Sequence, residues 1–534
     1  MRWALSSKPA WSEPMAIRDI RASVGRRFAV GLILSLPWPA MPIDPRTPVL
    51  VGAGQFLQRA SSLDDALDAS ALMAEAVRLA CADAGLTSVP NPDSLRVVGL
   101  LSWRYGDPAW VVAQHLGISP RETALTTTGG NNPQALVNTT ALEIQRGEVD
   151  FVVLAGGEAW RTRMRARKAG TTLVWPKAPA EQIPRLMGDE FDMTHPAERA
   201  RGLTLPVQVY PMFETAIRAR AGRSVADHQL RVSEMWARFS EVAASNPYAW
   251  LREAKTATEL STVGPTNRMI GLPYPKYMNS NNDVDMAAAL IMCSAGKASS
   301  LGIPRDRWVF PQSGVDCHEH AYVSNRWSFA ATPAIELGGR QALDLAGTTI
   351  DEVDIVDLYS CFPSAVQLGA QSLGLAIDRQ LTRTGGLAFA GGPWNSYVMH
   401  SIATVVGDLR EQEDSTGLVW ANGGLVTKHS FGIYRTSPPV GGFRHACPQP
   451  EIDAMPRREL TEPADAAGPA TIEAYTVMHS REGEPELAWA ACLLADGSRA
   501  WGSSFEPGLT SAMCEGEWVG RAVTLDADGT LHAP

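Results

Sequence analysis

The sequence predicts an α/β protein made of two similar halves and followed by a small β-rich tail. Apolar strands alternate with helical segments over residues 48–155, and the same alternation returns over residues 283–434. Strands that lack polar alternation are typical of a parallel sheet covered by helices on both faces. Residues 471–534 instead contain short strands separated by tight turns, which is typical of a small antiparallel barrel.

The composition favours small-molecule chemistry. Of the 534 residues, 45% are hydrophobic and 19% are charged, which excludes a disordered chain. The net charge of −10 gives no overall attraction for nucleic acid. The seven cysteines form no CxxC pair and no zinc-ligand spacing, which indicates a reducing compartment. We therefore predict a cytoplasmic protein with no nucleic acid partner, no metal site and, because no apolar run is long enough, no membrane span.

Residues 1–40 differ from the rest of the chain. They carry six basic and two acidic residues, which leaves the remaining chain a net charge near −14. Arg26 and Arg27 precede the apolar stretch 28–40, as in an export signal, but the stretch is too short to span a membrane. We expect a leader that is disordered or a misassigned start, with Met41 as the natural first residue. A targeting segment is the alternative.

The first half is predicted to cover residues 41–303 and to hold a long insertion. A strand at 49–51 is followed by Gly52 and Gly54, which predict a tight turn. From about 160 to 280 the α/β pattern gives way to a segment containing Arg and Pro, which we interpret as the insertion. The other predicted strands are 95–101, 151–155 and 283–292, and the predicted helices are 64–84, 135–145, 226–245 and the segment up to 301.

The second half is predicted to cover residues 304–446 and to repeat the pattern of the first, which suggests an internal duplication. A Pro-rich linker over residues 447–470 separates it from the tail. The predicted elements of the second half are a strand near 308, strands at 353–359 and 418–421 and a helix at 364–373. The predicted strands of the tail are 471–479, 487–494, 499–503 and 521–525.

Several glycine-bearing loops follow predicted strands, where open α/β sheets bind their ligands. These loops and the segments beside them resemble thiolase motifs in the right order: the nucleophile loop, a strand with a Gly-Gly-x-Glu signature, a "DGAAAL…LG" stretch, a His-Asp-Cys-Phe loop, a loop ending Gly-His-Pro, and the last loop Cys-x-Gly-Gly. The segments that carry the resemblance are residues 126–132, 150–158, 283–301, 357–362, 385–393 and 422–424.

The chain therefore resembles the thiolase superfamily, and within it the type 1 thiolase-like proteins related to sterol-carrier-protein thiolases. The resemblance implies a duplicated five-layered αβαβα core with a loop-domain insertion on the side that binds coenzyme A (CoA). It also implies an extra C-terminal barrel domain, similar to an OB fold. The substrate would be a CoA thioester, with no separate cofactor. A homodimer through the N-terminal half would be expected.

The departures from the thiolase pattern concern the catalytic residues. A thiolase uses one cysteine to hold the acyl group, a histidine to activate it and a second cysteine to move a proton. Gly130 lies at the nucleophile position, Gly392 replaces the histidine of Gly-His-Pro, and Ala421 or Asn422 replaces the last cysteine. An acyl-enzyme on the usual cysteine is therefore not expected.

Four side chains near these loops are candidate catalytic residues. His429 follows a glycine loop and can take a proton, although a structural histidine is the alternative. His400 is expected on a helix, where a core role competes. Cys361 is the thiol nearest a matched loop, and a buried apolar role competes with catalysis. Tyr359 can donate a hydrogen bond to a carbonyl oxygen.

Substrate binding is predicted at the loops and at a basic run. Backbone N–H groups of the loop glycines can form oxyanion holes, with turn formation as the alternative. Arg161 and Arg163 open the insertion and can pair with CoA phosphates, whereas a solvated face is the alternative. The loop residues predicted to bind substrate are Gly129, Gly130, Asn131, Gly392, Asn422, Gly423 and Gly424.

These features predict an acyltransferase acting on CoA thioesters without a covalent cysteine intermediate. A CoA-thioester retro-aldolase that uses a tyrosine, here Tyr359, is one alternative. A non-catalytic acyl-CoA binding protein is the other. The sequence leaves the acyl chain and the acceptor open.

Overall fold

The computed structural model describes residues 43–533, so the predicted leader 1–40 lies outside the described residues. The strands in chain order are β1 (Pro48–Leu57), β2 (Ser94–Val97), β3 (Glu122–Thr126), β4 (Phe151–Ala159), β5 (Arg185–Met187), β6 (Met269–Gly271), β7 (Tyr274–Pro275), β8 (Asp285–Ser294), β9 (Phe310–His318), β10 (Ile355–Leu358), β11 (Gly417–Gly423), β12 (Lys428–Arg435), β13 (Arg444–Ala446), β14 (Gly468–His479), β15 (Pro485–Leu493), β16 (Arg499–Ser504), β17 (Ala522–Leu525) and β18 (Leu531–His532).

The α-helices lie between these strands. In chain order they are α1 (Ala69–Asp83), α2 (Pro108–Leu116), α3 (Asn132–Arg146), α4 (Trp160–Ala169), α5 (Pro196–Ala200), α6 (Pro206–Arg220), α7 (Val225–Ser245), α8 (Ala257–Ser261), α9 (Ala295–Ser300), α10 (Pro333–Ala346), α11 (Pro363–Leu373), α12 (Gly386–Phe389), α13 (Tyr397–Glu411), α14 (Gln449–Asp453) and α15 (Pro507–Glu515).

Two sheets and three helical layers form the core. The first sheet has the order β1-β8-β4-β2-β3-β5 and the second has the order β10-β11-β12-β9-β13. Helices α3 and α13 contact strands of both sheets and form the central layer. Helices α1 and α2 cover the first sheet, and α10 and α11 cover the second. The predicted α/β class is confirmed, and the layers follow the expected αβαβα order.

The first sheet is buried because its central strands are mostly apolar, with Glu158 in β4 and Asp285 and Ser294 in β8 as the polar exceptions. Every residue of β4 and β8 is buried. The predicted turn at Gly52 and Gly54 is wrong, because β1 continues through both glycines to Leu57. A Cβ atom built at either glycine would lie 2.2 Å from a backbone oxygen of α1. These glycines therefore allow the helix to approach the strand closely.

The second sheet contains a strand that the apolar pattern did not predict. β12 pairs antiparallel with β11 and with β9, and it begins at Lys428 and His429. The sequence places His429 only after a glycine loop and predicts no strand there. The first residues of β12 are polar and interrupt the apolar pattern, so the hydrophobic periodicity predicted no strand here.

The insertion joins the three parts of the chain. Its strand β5 pairs in parallel with β3 and so covers that edge of the first sheet. Its helices α6 and α7 pack beside the second half, where Ser364 Oγ donates to the carbonyl oxygen of Tyr210 at 2.9 Å. Its strand β6 pairs with β14 of the tail through Gly271 and Met478.

The tail folds as a curled antiparallel sheet with one helix. The order is β16-β15-β14-β17-β18, and α15 packs against β15. The two ends of this sheet meet, because Ser503 and Thr530 form a bridge and the Ser503 N–H donates to the Gly529 carbonyl at 3.1 Å. Within residues 43–533, no helix has the length and hydrophobicity needed to cross a membrane.

A buried arginine holds the tail against the second half. Arg499 Nη1 donates to the carbonyl oxygens of Ser324 at 2.6 Å and Arg326 at 2.7 Å. Its Nη2 donates to Glu473 Oε2 at 2.6 Å within the tail sheet. The side chain of Arg499 is fully buried. One guanidinium therefore satisfies acceptors on both sides of the contact.

We expect Arg499→Met to lower the free energy of unfolding by about 3–5 kcal/mol, because it leaves the partly buried Glu473 carboxylate and two carbonyl oxygens without their donor. Urea denaturation followed by circular dichroism measures the change. Arg457→Met is the matched control, since Arg457 is exposed and lies 3.6 Å from Glu459; it should cost less than about 0.5 kcal/mol. Equal losses in the two variants would contradict the anchoring role.

Candidate functional site

A cavity of about 480 Å³ lies where the insertion meets both halves of the core. Its walls are mostly apolar, with hydroxyl and amide groups at a few points. Residues of the predicted loops line it together with residues of the insertion. The lining residues are Leu101, Thr128, Gly129, Gly130, Met193, Thr194, Thr204, Leu205, Pro206, Val207, Tyr210, Ser280, Asn282, Tyr359, Cys361, Phe362, Leu387, Trp394, Asn395, Gly424 and Leu425.

The Tyr359 hydroxyl occupies the space beside Gly130 where a side chain would begin. A Cβ atom built at Gly130 would lie 2.6 Å from the Tyr359 hydroxyl oxygen and 2.5 Å from the Asn422 carbonyl oxygen. Residue 130 therefore cannot carry a side chain without movement of both neighbours. The phenol of Tyr359, which directly follows β10, fills the space that a side chain at residue 130 would occupy.

Tyr210 of the insertion fixes the loop after β11. Its hydroxyl donates to the Gly424 carbonyl at 3.0 Å and accepts from Asn422 Nδ2 at 2.9 Å and from the Val426 N–H at 3.1 Å. The ring stacks on Phe362 with centroids 4.5 Å apart. Val426 has a φ of +54°, which a β-branched residue adopts only when its surroundings impose it.

The titratable groups of the cavity wall are neutral. Burial raises the pKa of Tyr359 and that of Tyr210 well above the ordinary value, and it raises the pKa of the Cys361 thiol to about 12. Among the described residues that line the cavity there is no Asp, Glu, His, Lys or Arg. The cavity therefore offers hydrogen-bond donors but no charged acid or base.

The two predicted histidines lie away from the cavity. His429 is fully buried in β12, its ring 5.8 Å from that of Trp420, and burial lowers its pKa well below the ordinary value. His400 lies on α13, where its Nδ1 is 2.8 Å from Gln55 Oε1, and burial lowers its pKa to about 3. Neither ring reaches a ligand in the cavity, and both stay neutral near pH 7.

The predicted loop residues are brought together around Gly130. A Cβ atom at Gly423 would lie 2.6 Å from Asn131 Oδ1 and 3.0 Å from the Gly130 nitrogen. Gly129, Gly130 and Gly424 line the cavity. Asn131, Asn422 and Gly423 lie directly behind it.

Gly392 supports the cavity wall instead of lining it. Its N–H donates to the Asn281 carbonyl at 2.8 Å, and its own carbonyl accepts from Asn282 Nδ2 at 2.7 Å. Because Asn282 lines the cavity, Gly392 acts through it.

Arg161 and Arg163 lie on α4, outside the cavity. Arg161 forms an ion pair with Asp283. Arg163 Nη1 donates to the Leu101 carbonyl at 2.6 Å, and its guanidinium lies 5.2 Å from the centroid of the Trp160 ring. Of the two, only Arg163 contacts the backbone of a cavity residue.

Sequence reasoning missed Asn395, Trp394 and most of the insertion residues in the wall. Asn395 Oδ1 accepts from the Gly129 N–H at 3.2 Å, and its Nδ2 donates to the Gly99 carbonyl at 2.8 Å. Its place two residues after Pro393, where a matched loop ends, was the available signal. Tyr210 had no such signal, because the insertion carries no motif. Over residues 43–533, no group of three His, Cys, Asp or Glu side chains is placed to hold a metal ion.

Comparison with known proteins relates the whole architecture to a known group. A family model described as the additional C-terminal domain of thiolase-like protein type 1 matches residues 448–530. The crystal structure of a monomeric SCP2-thiolase-like protein type 1 from Mycobacterium smegmatis is similar with a TM-score of 0.78 and 32% identity. That match covers 92% of this chain and 100% of the other.

Other similarities are more distant. An acetyl-CoA acetyltransferase of Syntrophomonas wolfei is 29% identical over 154 residues, which are 28% of this chain and only 36% of that protein. The structure of an acetyl-CoA acetyltransferase from Syntrophomonas wolfei has a TM-score of 0.53 at 14% identity, over 73% of this chain and 99% of the other. The structure of an Ltp2-ChsH2(DUF35) aldolase has a TM-score of 0.56 at 19% identity, over 73% of this chain and 98% of the other. These two structures share the fold.

We expect Gly130→Ala to lower the free energy of unfolding by about 1–3 kcal/mol, because the added methyl group meets two oxygen atoms. Combining it with Tyr359→Phe removes one of these oxygens, so the double variant should lose less than the sum of the single variants. Urea denaturation of all three proteins gives the coupling energy. Gly264→Ala is the control, since a Cβ atom there would meet nothing within 4 Å. Strict additivity would contradict the close approach of Tyr359.

His400 should make stability depend on pH. Its pKa in the folded protein, about 3, lies below the value of about 6.5 in an unfolded chain, so the unfolded state binds more protons between these values. Its contribution is therefore present above pH 6.5 and is lost as the pH falls toward 3. We expect His400→Gln to reduce the slope of unfolding free energy against pH by up to about 1.4 kcal/mol per pH unit between pH 4 and 6. Ile402→Val changes a buried residue of the same helix and is the control, because it should leave the slope of unfolding free energy against pH unchanged. If His400→Gln also left this slope unchanged, the conclusion that His400 is buried in its neutral form would be contradicted.

Proposed function

The chain belongs to the type 1 SCP2-thiolase-like proteins, and on that basis we propose that its cavity binds the thioester end of an acyl-CoA without forming an acyl-enzyme. The thioester carbon would lie against Gly130, and the carbonyl oxygen would accept a hydrogen bond from Tyr359. The mostly apolar walls suit an uncharged acyl chain. CoA is the substrate in this proposal, with no separate cofactor.

The observation that carries this proposal is the position of the Tyr359 hydroxyl. A covalent mechanism needs a nucleophile at residue 130, and the phenol oxygen fills that space. Cys361 is a poor substitute, because a thiol with a pKa of about 12 is almost entirely protonated at pH 7. The site therefore presents a neutral proton donor to the thioester where a thiolase presents a thiolate.

A neutral phenol suits reversible carbon–carbon cleavage of a β-hydroxyacyl-CoA. In this reaction the Cα–Cβ bond breaks and its electron pair stays on Cα as an enolate. The β-hydroxyl group becomes a carbonyl and gives its proton to the Tyr359 oxygen, while Tyr359 gives its own proton to Cα. The products are a shorter acyl-CoA and an aldehyde or ketone. No charged base is required, which agrees with the uncharged cavity wall.

The acyltransferase expected from the resemblance remains a second candidate. The partial match to an acetyl-CoA acetyltransferase favours it. The acyl group would have to pass directly from one CoA thioester to the other substrate, since the cavity wall offers no ready nucleophile. The cytoplasmic location and the homodimer stay predictions. A dimer through the N-terminal half could not use the β3 edge of the first sheet, because β5 already pairs with β3 there.

The cleavage of β-hydroxyacyl-CoA substrates of varied chain length tests the proposal. We expect Tyr359→Phe to reduce kcat at least about 100-fold, the lower range for loss of a general acid–base group, with KM changed less than about threefold. Product aldehyde or ketone and shortened acyl-CoA are measured by mass spectrometry. Tyr434→Phe is the control, because the Tyr434 hydroxyl is buried against Gln134 Oε1 at 2.8 Å, away from the cavity.

The same samples separate the alternatives. A stable acyl adduct on Cys361 in the intact-mass spectrum would overturn the non-covalent proposal. Acyl exchange between two CoA thioesters without cleavage would favour the transferase. Binding without any turnover, unchanged in Tyr359→Phe, would leave the acyl-CoA binding protein.

A further inference from the structure

A strap from the insertion covers one side of the cavity. The strap, residues 188–194, connects β5 to α5. Met193 and Thr194 at its end line the cavity, and the Met193 sulfur fills the space that a Cβ atom at Gly424 would take. Residues 188–190 at its start are exposed. The position of the strap therefore depends on specific contacts with the core and not on burial alone.

Lys428 joins the strap to the loop that carries Gly130. Its Nζ donates to the Thr128 carbonyl at 2.9 Å and to the Asp189 carbonyl at 3.3 Å. The same atom lies 4.7 Å from the centroid of the Phe191 ring in the strap. Because Lys428 is the first residue of β12, one ammonium group connects the second sheet, the loop after β3 and the insertion.

Lys428 is buried although its side chain ends in an ammonium group. It is 5% exposed, and within residues 43–533 it takes part in no ion pair. Burial lowers the pKa of Lys428, and the nearby carboxylates of Glu190 and Asp189 oppose this shift. The lost hydration of such a group is offset only where carbonyl oxygens or an aromatic face stay in place. The positions of the loop and the strap are thus tied to the ammonium group.

The peptide between Thr128 and Gly129 is held at both ends. Its carbonyl accepts from Lys428 Nζ, and its N–H, that of Gly129, donates to Asn395 Oδ1 at 3.2 Å. The carbonyl and the N–H of a trans peptide point in opposite directions, so these two bonds fix the whole peptide plane. Gly129 and Gly130 have no Cβ atoms and little conformational preference of their own. The shape of the cavity wall beside the proposed thioester position therefore depends on Lys428 and Asn395.

Two further hydrogen bonds align the strap with the same loop. Thr127 Oγ1 donates to the Asp189 carbonyl at 3.3 Å, and the Thr128 N–H donates to Glu190 Oε2 at 3.3 Å. Both are longer than the bond from Lys428 to the Thr128 carbonyl. These bonds set the register of the strap against the loop, whereas Lys428 donates to both segments at once.

We propose that Lys428 is a positioning residue for the reaction in the cavity, because it holds the loop 128–130 and the strap in the arrangement that aligns the substrate. The kinetic part of this inference rests on the proposed function. Lys428 does not line the cavity, so it acts through Thr128 and Asp189 and not by contact with the substrate. Without its bonds the apolar walls still bind an acyl group, but a smaller share of bound substrate lies correctly against Tyr359.

Two measurements on the full chain without substrate test whether Lys428 holds the loop and the strap. Hydrogen exchange followed by mass spectrometry reports on the bonded N–H groups of residues 127–129, and limited chymotrypsin digestion reports on cleavage after Phe191 in the strap. We expect Lys428→Met to speed both about tenfold or more, because each segment loses a hydrogen bond from a charged donor. Asn395→Leu should speed only the exchange, since Asn395 bonds the loop and not the strap. Lys255→Met is the matched control: it also removes an ammonium group beside an aromatic ring, but one that pairs with an exposed carboxylate outside the cavity.

The kinetics of β-hydroxyacyl-CoA cleavage test the positioning role itself. We expect Lys428→Met to lower kcat about tenfold or more with KM within about threefold, because the cavity is kept and the alignment of the substrate is lost. Lys255→Met should change neither constant more than about twofold. Circular dichroism confirms that each variant is folded, and Lys428→Gln, which also lacks the ammonium group, replaces Lys428→Met if the latter does not fold.

The outcomes separate this inference from the proposed function. Unchanged exchange and unchanged chymotrypsin cleavage in Lys428→Met would overturn the inference, whatever the enzymatic activity. Faster exchange and cleavage with an unchanged kcat would make Lys428 a structural residue only, which also overturns it, as would equal effects in Lys255→Met. If the wild type cleaves no β-hydroxyacyl-CoA, the proposed function fails, and the exchange and digestion results alone decide whether Lys428 ties the strap to the loop.

Discussion

The absence of a side chain at residue 130 is the constraint on which the site depends. The space that a Cβ atom would need is filled by the Tyr359 hydroxyl from one side and the Asn422 carbonyl from the other, at 2.6 and 2.5 Å. Gly130 lies two residues before α3 of the central layer. Of its two neighbours, Tyr359 directly follows β10 and Asn422 belongs to β11, and both strands are in the second sheet. The two halves thus meet closely at the residue that takes the nucleophile position of the thiolase motif.

The neighbours of Gly130 are held by parts of the chain that lie outside the duplicated core. Tyr210 of the insertion hydrogen-bonds the loop after β11 at three atoms. Arg326 holds the same loop from another side, since its Nη1 donates to the Leu425 carbonyl at 2.6 Å and its Nη2 to Thr427 Oγ1 at 2.8 Å. The Arg326 carbonyl in turn accepts from Arg499 of the tail. The tail therefore connects to the cavity through two arginines, which gives the C-terminal domain a physical route to the site.

The sequence predicted the core well because burial there is uniform. Strands β4 and β8 are apolar except near their ends, and their pattern indicates a sheet covered on both faces. β12 was missed because Lys428 and Ser430 are polar. Their partners lie in other elements: Lys428 Nζ donates to the Thr128 carbonyl at 2.9 Å, and Ser430 Oγ donates to Asp316 Oδ1 at 2.5 Å. Tertiary partners of this kind cannot be read from the periodicity of one segment.

Only part of the site could be predicted from the sequence, for a similar reason. Loop motifs identified Gly130, Tyr359 and Gly424, because the segments that contain them resemble thiolase motifs. The role of His429 was inferred from its nearness in sequence to a glycine loop, yet β12 pairs it with Asn422 and buries it. Tyr210 was not predicted, because the insertion has no motif to compare and its contribution exists only after packing.

The absence of charge in the cavity wall limits the ligand as much as it limits the chemistry. Burial raises the pKa of each ionisable group that lines the cavity, so all of them stay neutral at pH 7. A charged acyl group entering this space would lose its hydration without gaining an ionic partner, which is strongly unfavourable. The thioester carbonyl is different, since it is uncharged and needs only a donor such as the Tyr359 hydroxyl. The proposed selection of an uncharged acyl group and the proposed catalysis by a neutral phenol therefore rest on one property of the wall.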